Sequence, residues 1–281
     1  MSHRDHDTKQ NTPNGKNNSN ETGPVVVGGH HYTPSMPPPG LNTPYDISAE
    51  ELSHFRSNAW AKSLLASALR DGAGEYFPIA TWSRVPKPST GEDGFFSQTL
   101  ATPSTVPFVL TLRRKNLEPV TASLPKEPPA AADPKQKKPV APDRPPDTIT
   151  LITLASPGVC GHPNTAHGGL IASLFDEVMS LAVALHMPPS ANPSLGSQSR
   201  DGLMFYTAQL SVRYRQPVAV PGLLVIRSWC VARDGRKYWT VARALQEEEG
   251  DKEGGQLESA KRKTVRAEGT AMWIEVPLSK L

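Results

Sequence analysis

Cysteine is nearly missing from this chain: Cys160 and Cys230 are the only two in 281 residues, too few for a disulfide framework and compatible with a reducing compartment or an organellar lumen. No stretch approaches the ~20 uncharged apolar residues of a membrane helix, and the N-terminus has no apolar signal segment. A soluble, non-secreted protein without a membrane span is expected. A strong charge of either sign is lacking too. The net charge of +3 is too mild to demand a nucleic-acid partner. Internal repeats are absent, and so is the Gly-x-Ser-x-Gly turn of an α/β-hydrolase nucleophile. With 37% hydrophobic residues and 29 prolines, there is material for one ordinary core and a good deal of chain that will not pack.

What the chain does have is one stretch, Ser156 to His186, around which the rest is arranged. Pro, Gly and Asn mark a loop up to Ala166; then Leu170, Ile171, Leu174, Phe175, Val178, Met179, Ala182 and Leu185 follow at helical spacing. The helix is apolar over most of its circumference, which predicts that other elements enclose it. It opens on a glycine pair, Gly168-Gly169, and carries an acidic pair, Asp176-Glu177. The first amides of a helix lack internal acceptors and sit at the positive end of its dipole, so a carbonyl oxygen becoming an oxyanion can be held there. Asp176 lies eight residues beyond Gly168, about 12 Å at ~1.5 Å per residue, too far for both to act on one group. A two-fold partner with its helix reversed would bring one chain's Asp176 to the other's Gly168, so a shared site in a homodimer or dimer of dimers is expected.

Along the chain, residues 1–44 are rich in Asn, Gly, Pro, Ser and His and are expected to be a disordered tail in which His30-His31 carries no metal. Residues 45–94 are read as an N-terminal helix and linker. Ser48 to Glu51 is a capping box, and Leu52, Phe55, Ala59, Trp60, Leu64, Leu65 and Leu69 keep helical spacing until Gly72. Such a helix either packs on an open face of the main domain or acts as a lid over its pocket. The main domain is placed at 95–276. Its first strand is predicted over Thr105 to Leu112 and its second over Thr148 to Ala155, with a Pro-rich insertion at about 115–146 holding nine prolines from Leu117 to Pro146. After the helix come a strand from Phe205 to Arg215, a hairpin about Asp234-Gly235 joining Leu223–Arg233 to Arg236–Gln246, and a last strand from Thr264 to Val276. About six strands and one swallowed helix make an α+β fold, a bent antiparallel sheet around that helix.

His167-Gly168-Gly169 with the spaced Asp176, followed by the Thr207-Ala208-Gln209-Leu210 strand and the Asp234-Gly235-Arg236-Lys237 hairpin, resembles the hotdog-fold acyl-CoA thioesterases of the phenylacetyl-CoA branch. The resemblance covers roughly residues 95 to 276. It implies a hotdog fold and hydrolysis of acyl-CoA without cofactor or metal. Asp176 would activate water, the Gly168 amide would hold the oxyanion and Thr207 would position the water. His167, Gly169 and Asn164 would meet substrate, and Arg236 and Lys237 the CoA phosphates. The residues also allow duller readings. His167 suits support of the loop better than a base, Glu177 suits a structural or solvent-facing place, and Arg236 and Lys237 suit turn solvation equally well. Strict alternation puts Thr207 on the face of Gln209, away from Leu210, so it reaches the acid only where a bulge or the strand's first turn intervenes.

The sequence departs from the family ahead of the glycines: where some relatives carry Asn or Gln, Gly161 stands here, with His162 or Asn164 nearby. Two rival functions stay open: a hotdog enoyl-CoA hydratase, although His162 occupies the place of its essential acid, and a non-catalytic acyl-CoA binder. The last residues, 277–281, end in Ser279-Lys280-Leu281, an address for the peroxisomal import receptor. A peroxisomal protein, otherwise cytoplasmic, is the expected location.

Overall fold

The computed structural model describes residues 25–27, 30–32, 41, 43–88, 91–120, 142–187, 203–248 and 262–277. In the expected tail a short antiparallel ribbon pairs β1 (Val25–Val27) with β2 (His30–Tyr32), and Leu41 is buried, so disorder does not hold throughout 1–44. Two helices follow where one was expected. The capping box forms as read, the Ser48 hydroxyl accepting from the Glu51 amide at 3.1 Å to start α1 (Ala49–Ser57). Asn58 then leaves the helical region (φ −91°, ψ 124°), and its side chain caps α2 (Ala59–Leu69) by accepting from Ala61 at 2.9 Å.

The remaining strands are β3 (Tyr76–Ile79), β4 (Val109–Arg114), β5 (Thr148–Leu154), the short β6 (Cys160–His162) and β7 (Thr165–Ala166), then, after α3 (Gly168–Ala184), β8 (Leu203–Tyr214), β9 (Gly222–Asp234), β10 (Lys237–Glu247) and β11 (Lys263–Pro277). Seven of them form one antiparallel sheet in the order β3-β4-β5-β9-β10-β11-β8. The sheet has one strand more than expected and begins at residue 76, inside the stretch read as linker. The strand expected at 105–112 starts only at Val109.

The sheet buries apolar residues on both faces. On one, α3 lays Ile171, Leu174, Phe175, Val178, Met179 and Val183 against Ile152, Leu154, Leu224, Ile226 and Trp273. Gly269 makes room for that crossing: a Cβ there would stand 2.9 Å from the Phe175 ring. On the other face, Phe55, Trp60, Leu64 and Leu65 of α1 and α2 cover Leu110, Leu112, Ile149, Leu151 and Val225. Alternating residues of β5 therefore enter two cores, and each large side chain so buried contributes about 1.5–3 kcal/mol. This corrects the lid reading: α1 and α2 lie across the sheet from α3.

The end of the proline-rich stretch belongs to the fold. Pro146 accepts the Tyr76 hydroxyl at 2.9 Å, and the Arg144 carbonyl accepts the Trp229 indole N–H at 2.9 Å. Residues 121–141 of that insertion, and 278–281 at the C-terminus, lie outside the described residues. No helix among the described residues is long and apolar enough to cross a membrane.

Candidate active site

Helix α3 starts from the β6–β7 hairpin. Asn164 takes a left-handed conformation (φ 54°) at its tip, and its carbonyl accepts from Val220 at 3.0 Å. Hydrogen bonds from Ala166 to the Val218 carbonyl (2.9 Å) and from His167 to the Val159 carbonyl (2.8 Å) fix the entry into the helix. His167 is the N-cap, its Nδ1 accepting the Gly169 amide at 3.0 Å. The imidazole therefore supports the loop, and Gly169, expected to meet substrate, has its N–H committed within the fold. The Gly168 N–H has no acceptor among the described residues. Beside it lies a residue that sequence reading did not single out: the Tyr214 hydroxyl donates to the Gly168 carbonyl at 2.7 Å. The signal was present, since Tyr214 continues the face of Leu210 and Val212.

Two turns along α3, Asp176 accepts a hydrogen bond from the Thr207 hydroxyl at 2.7 Å. A register shift makes this possible. Gln209 pairs with Met272, but Thr207 pairs with Trp273, so Ala208 is bulged out and Thr207 swings to the helix side. Burial pushes the Asp176 carboxyl above its ordinary pKa, and the Thr207 hydrogen bond opposes the rise.

Glu177, expected to be structural or to face solvent, is partly buried between the sheet and the chain that joins α2 to β4. Ser83, Arg84, Phe96 and Leu100 line a narrow cavity with it. Arg84 is held there by the carbonyls of Phe96 (3.0 Å) and Val106 (2.8 Å). Burial pushes the Glu177 carboxyl up to about 7. Arg236 and Lys237 fall one register row beyond Thr207, since Tyr206 pairs with Ile274 and Ile274 with Lys237. They thus share the Asp176 end of the sheet, whereas Gly168 sits beside Tyr214 at the other end. Within one protomer the structure joins Asp176 to Thr207 and leaves Gly168 about 12 Å along the helix axis by the helical rise.

Residues 163–250 match the family profile described as Thioesterase superfamily. That segment runs from the β6–β7 hairpin through α3 and Thr207 to the end of β10. Among solved structures, a Bacillus halodurans protein with CoA is 16% identical, over 46% of this chain and 66% of that one, with a TM-score of 0.33. A hypothetical thioesterase of Streptococcus pneumoniae with coenzyme A is 16% identical over 48% and 84% of the two chains, TM-score 0.33. A Staphylococcus aureus protein in complex with CoA is 13% identical over 47% and 71%, TM-score 0.35. No curated protein matches the chain. The profile match falls on the elements that build the site, and the antiparallel sheet wrapped on one apolar helix has the hotdog arrangement, so this segment is similar to the thioesterase superfamily of hotdog proteins.

Proposed function

We propose that the protein hydrolyses acyl-CoA thioesters to a free acid and CoA. The observation that carries this reading is Asp176: a half-buried carboxylate of raised pKa with one hydrogen-bond donor, Thr207, on the helix whose leading amide is open. Asp176 takes a proton from a water that Thr207 helps to orient, and the water oxygen bonds to the thioester carbon. The Gly168 amide of the opposite protomer holds the carbonyl oxygen as it gains charge. The C–S bond then breaks and the sulfur leaves with its electron pair. A thiol of pKa about 8.5 departs readily as thiolate, and the proton on Asp176 returns to solvent or to the thiolate.

The shared site needs a dimer. β8 is a twelve-residue edge strand that exposes Tyr206 (41%) and Tyr214 (52%), and antiparallel pairing of two such edges sets the two α3 helices in opposite directions. Ser279-Lys280-Leu281 supports peroxisomal import, which a fluorescent fusion with and without the tripeptide tests directly.

Hydrolysis is tested by following free thiol across acyl-CoA esters of graded length. Release that Asp176→Asn abolishes is expected. No release from any ester, or an unimpaired Asp176→Asn, overturns the reading and leaves a binding protein. Gly168→Pro separates the protomers' roles. It deletes the N–H at a position where proline is favoured and where His167 is already extended (φ −63°, ψ 133°). A loss of about 10²–10³-fold is expected. Mixing the two inactive variants should restore part of the turnover, because one hybrid site keeps both groups.

A further inference from the structure

The face of the sheet turned away from α3 has two halves. α1 and α2 cover the half formed by β3, β4, β5 and β9. The other half carries a row of charge. Arg213 on β8 stands opposite Glu268 on β11, Glu268 opposite Arg243 on β10, and Arg243 opposite Arg227 on β9. Arg215, two residues from Arg213, joins the same face and donates through Nε to Glu268 at 2.8 Å. Glu268 also meets Arg243, whose Nε stands 3.6 Å from its second oxygen. One carboxylate, 8% exposed in its side chain, thus serves two guanidinium groups.

Among the described residues, no carboxylate serves Arg227 in this way. Its direct cross-strand neighbour is another arginine, an arrangement that is destabilising by itself. Burial lowers the Arg243 pKa, Glu268 opposes it, and like charge from Arg227 lowers it further, with the exposed Asp143 on the other side. Arg227 Nε and Arg243 Nη2 are shut off from water without a hydrogen-bond partner. Buried N–H donors without acceptors are rare, and two such cations on adjacent strands, about 4.8 Å apart, call for an anion between them.

We propose that Arg227 and Arg243 form a binding site for a phosphate group on the face opposite α3, separate from the thioester site. A phosphate suits it better than a carboxylate. It carries more charge, and its tetrahedral oxygens can accept from the forks of two guanidiniums at once, whereas the carboxylate in the row, Glu268, has one oxygen on Arg215 and the other facing Arg243 and reaches no further. Free orthophosphate and the phosphate of a nucleotide share this chemistry.

The test uses the full chain and reads thermal unfolding in inorganic phosphate, in adenosine 3′-monophosphate, and in sodium chloride at matched ionic strength. Phosphate should raise the midpoint by several degrees more than chloride, and the nucleotide arm tells which source binds more tightly. Arg227→Met should raise the midpoint in chloride, because the like-charge pair is gone, and weaken the phosphate response at least about tenfold. If that variant does not fold, Arg227→Lys serves: it keeps the charge, loses the fork and should bind phosphate more weakly than wild type. Acyl-CoA hydrolysis by either variant should keep its kcat and KM. Equal midpoints in phosphate and chloride, or an undiminished response in both variants, overturn the site. A tenfold rise in KM for acyl-CoA overturns its separateness, because the arginines then belong to substrate binding.

Discussion

Two aspartates, both tied to α3, have opposite surroundings. Asp147 has no exposed side-chain surface. It receives Arg144 at 2.5 Å, His186 from the end of α3 at 3.1 Å and the Cys230 amide at 2.8 Å. Burial alone would raise its pKa, but the His186 and Arg144 hydrogen bonds win and hold it below the ordinary value. Asp176 is buried less deeply and accepts from the Thr207 hydroxyl in the site, and there burial wins. A carboxylate surrounded by donors fastens β5, β9 and α3 together. One that is starved of donors keeps an affinity for protons that chemistry can use.

The sharpest way to break the comparison is to neutralise each acid in turn. Asp176→Asn should cost about 10²–10⁴-fold in kcat/KM, measured by thiol release. It should also raise the unfolding midpoint, because an ionised carboxylate that the fold disfavours has been removed. Asp147→Asn should do the reverse, destabilising by about 3–5 kcal/mol in denaturant titration as Arg144 and His186 lose their partner, with turnover per folded molecule preserved.

Smaller effects sharpen the contrast. Thr207→Val removes the donor that opposes the rise in the Asp176 pKa, so the acidic limb of the kcat/KM profile should move to higher pH, with a loss of roughly 10-fold to 100-fold near neutrality. Glu177 extends the series: covered, short of donors and, in the proposed mechanism, without a reaction to serve. Its folded pKa of about 7 exceeds the ordinary glutamate value of 4.5, so the native state binds more protons and stability falls as pH rises between those values. Glu177→Gln should therefore stabilise the protein at pH 8 and have little effect at pH 5, by thermal unfolding. Asp147 has the opposite sign: its stabilisation is complete above the ordinary aspartate value of 3.8 and is lost as pH falls through its lowered folded pKa.

Much of the site was legible because helix chemistry is local. The glycine start, the spaced acid and the capping role of His167 follow from types and spacing alone. Thr207 was legible as a residue type but not as a neighbour. Its contact depends on the bulge at Ala208, and no residue there announces an irregularity. β3 was missed because Tyr76–Ile79 is four residues long and contains Pro78, which reads as a break and is tolerated at a sheet edge. The covering of Glu177 and the Asp147 network join residues far apart in sequence, His186 to Asp147 and Ser83 to Glu177, so neither had a periodic trace.

The two rims of the sheet differ in what they can still accept. At β3 the strand is short, Pro78 has no N–H to offer, and the Pro78 carbonyl is already taken by the Tyr45 amide at 2.9 Å. Among the described residues, β8 presents a long margin with no strand paired beyond it. In the proposed dimer, two such borders lie back along one another and each is used up by the other, so the pairing that completes the site also closes the edge that a further strand would need.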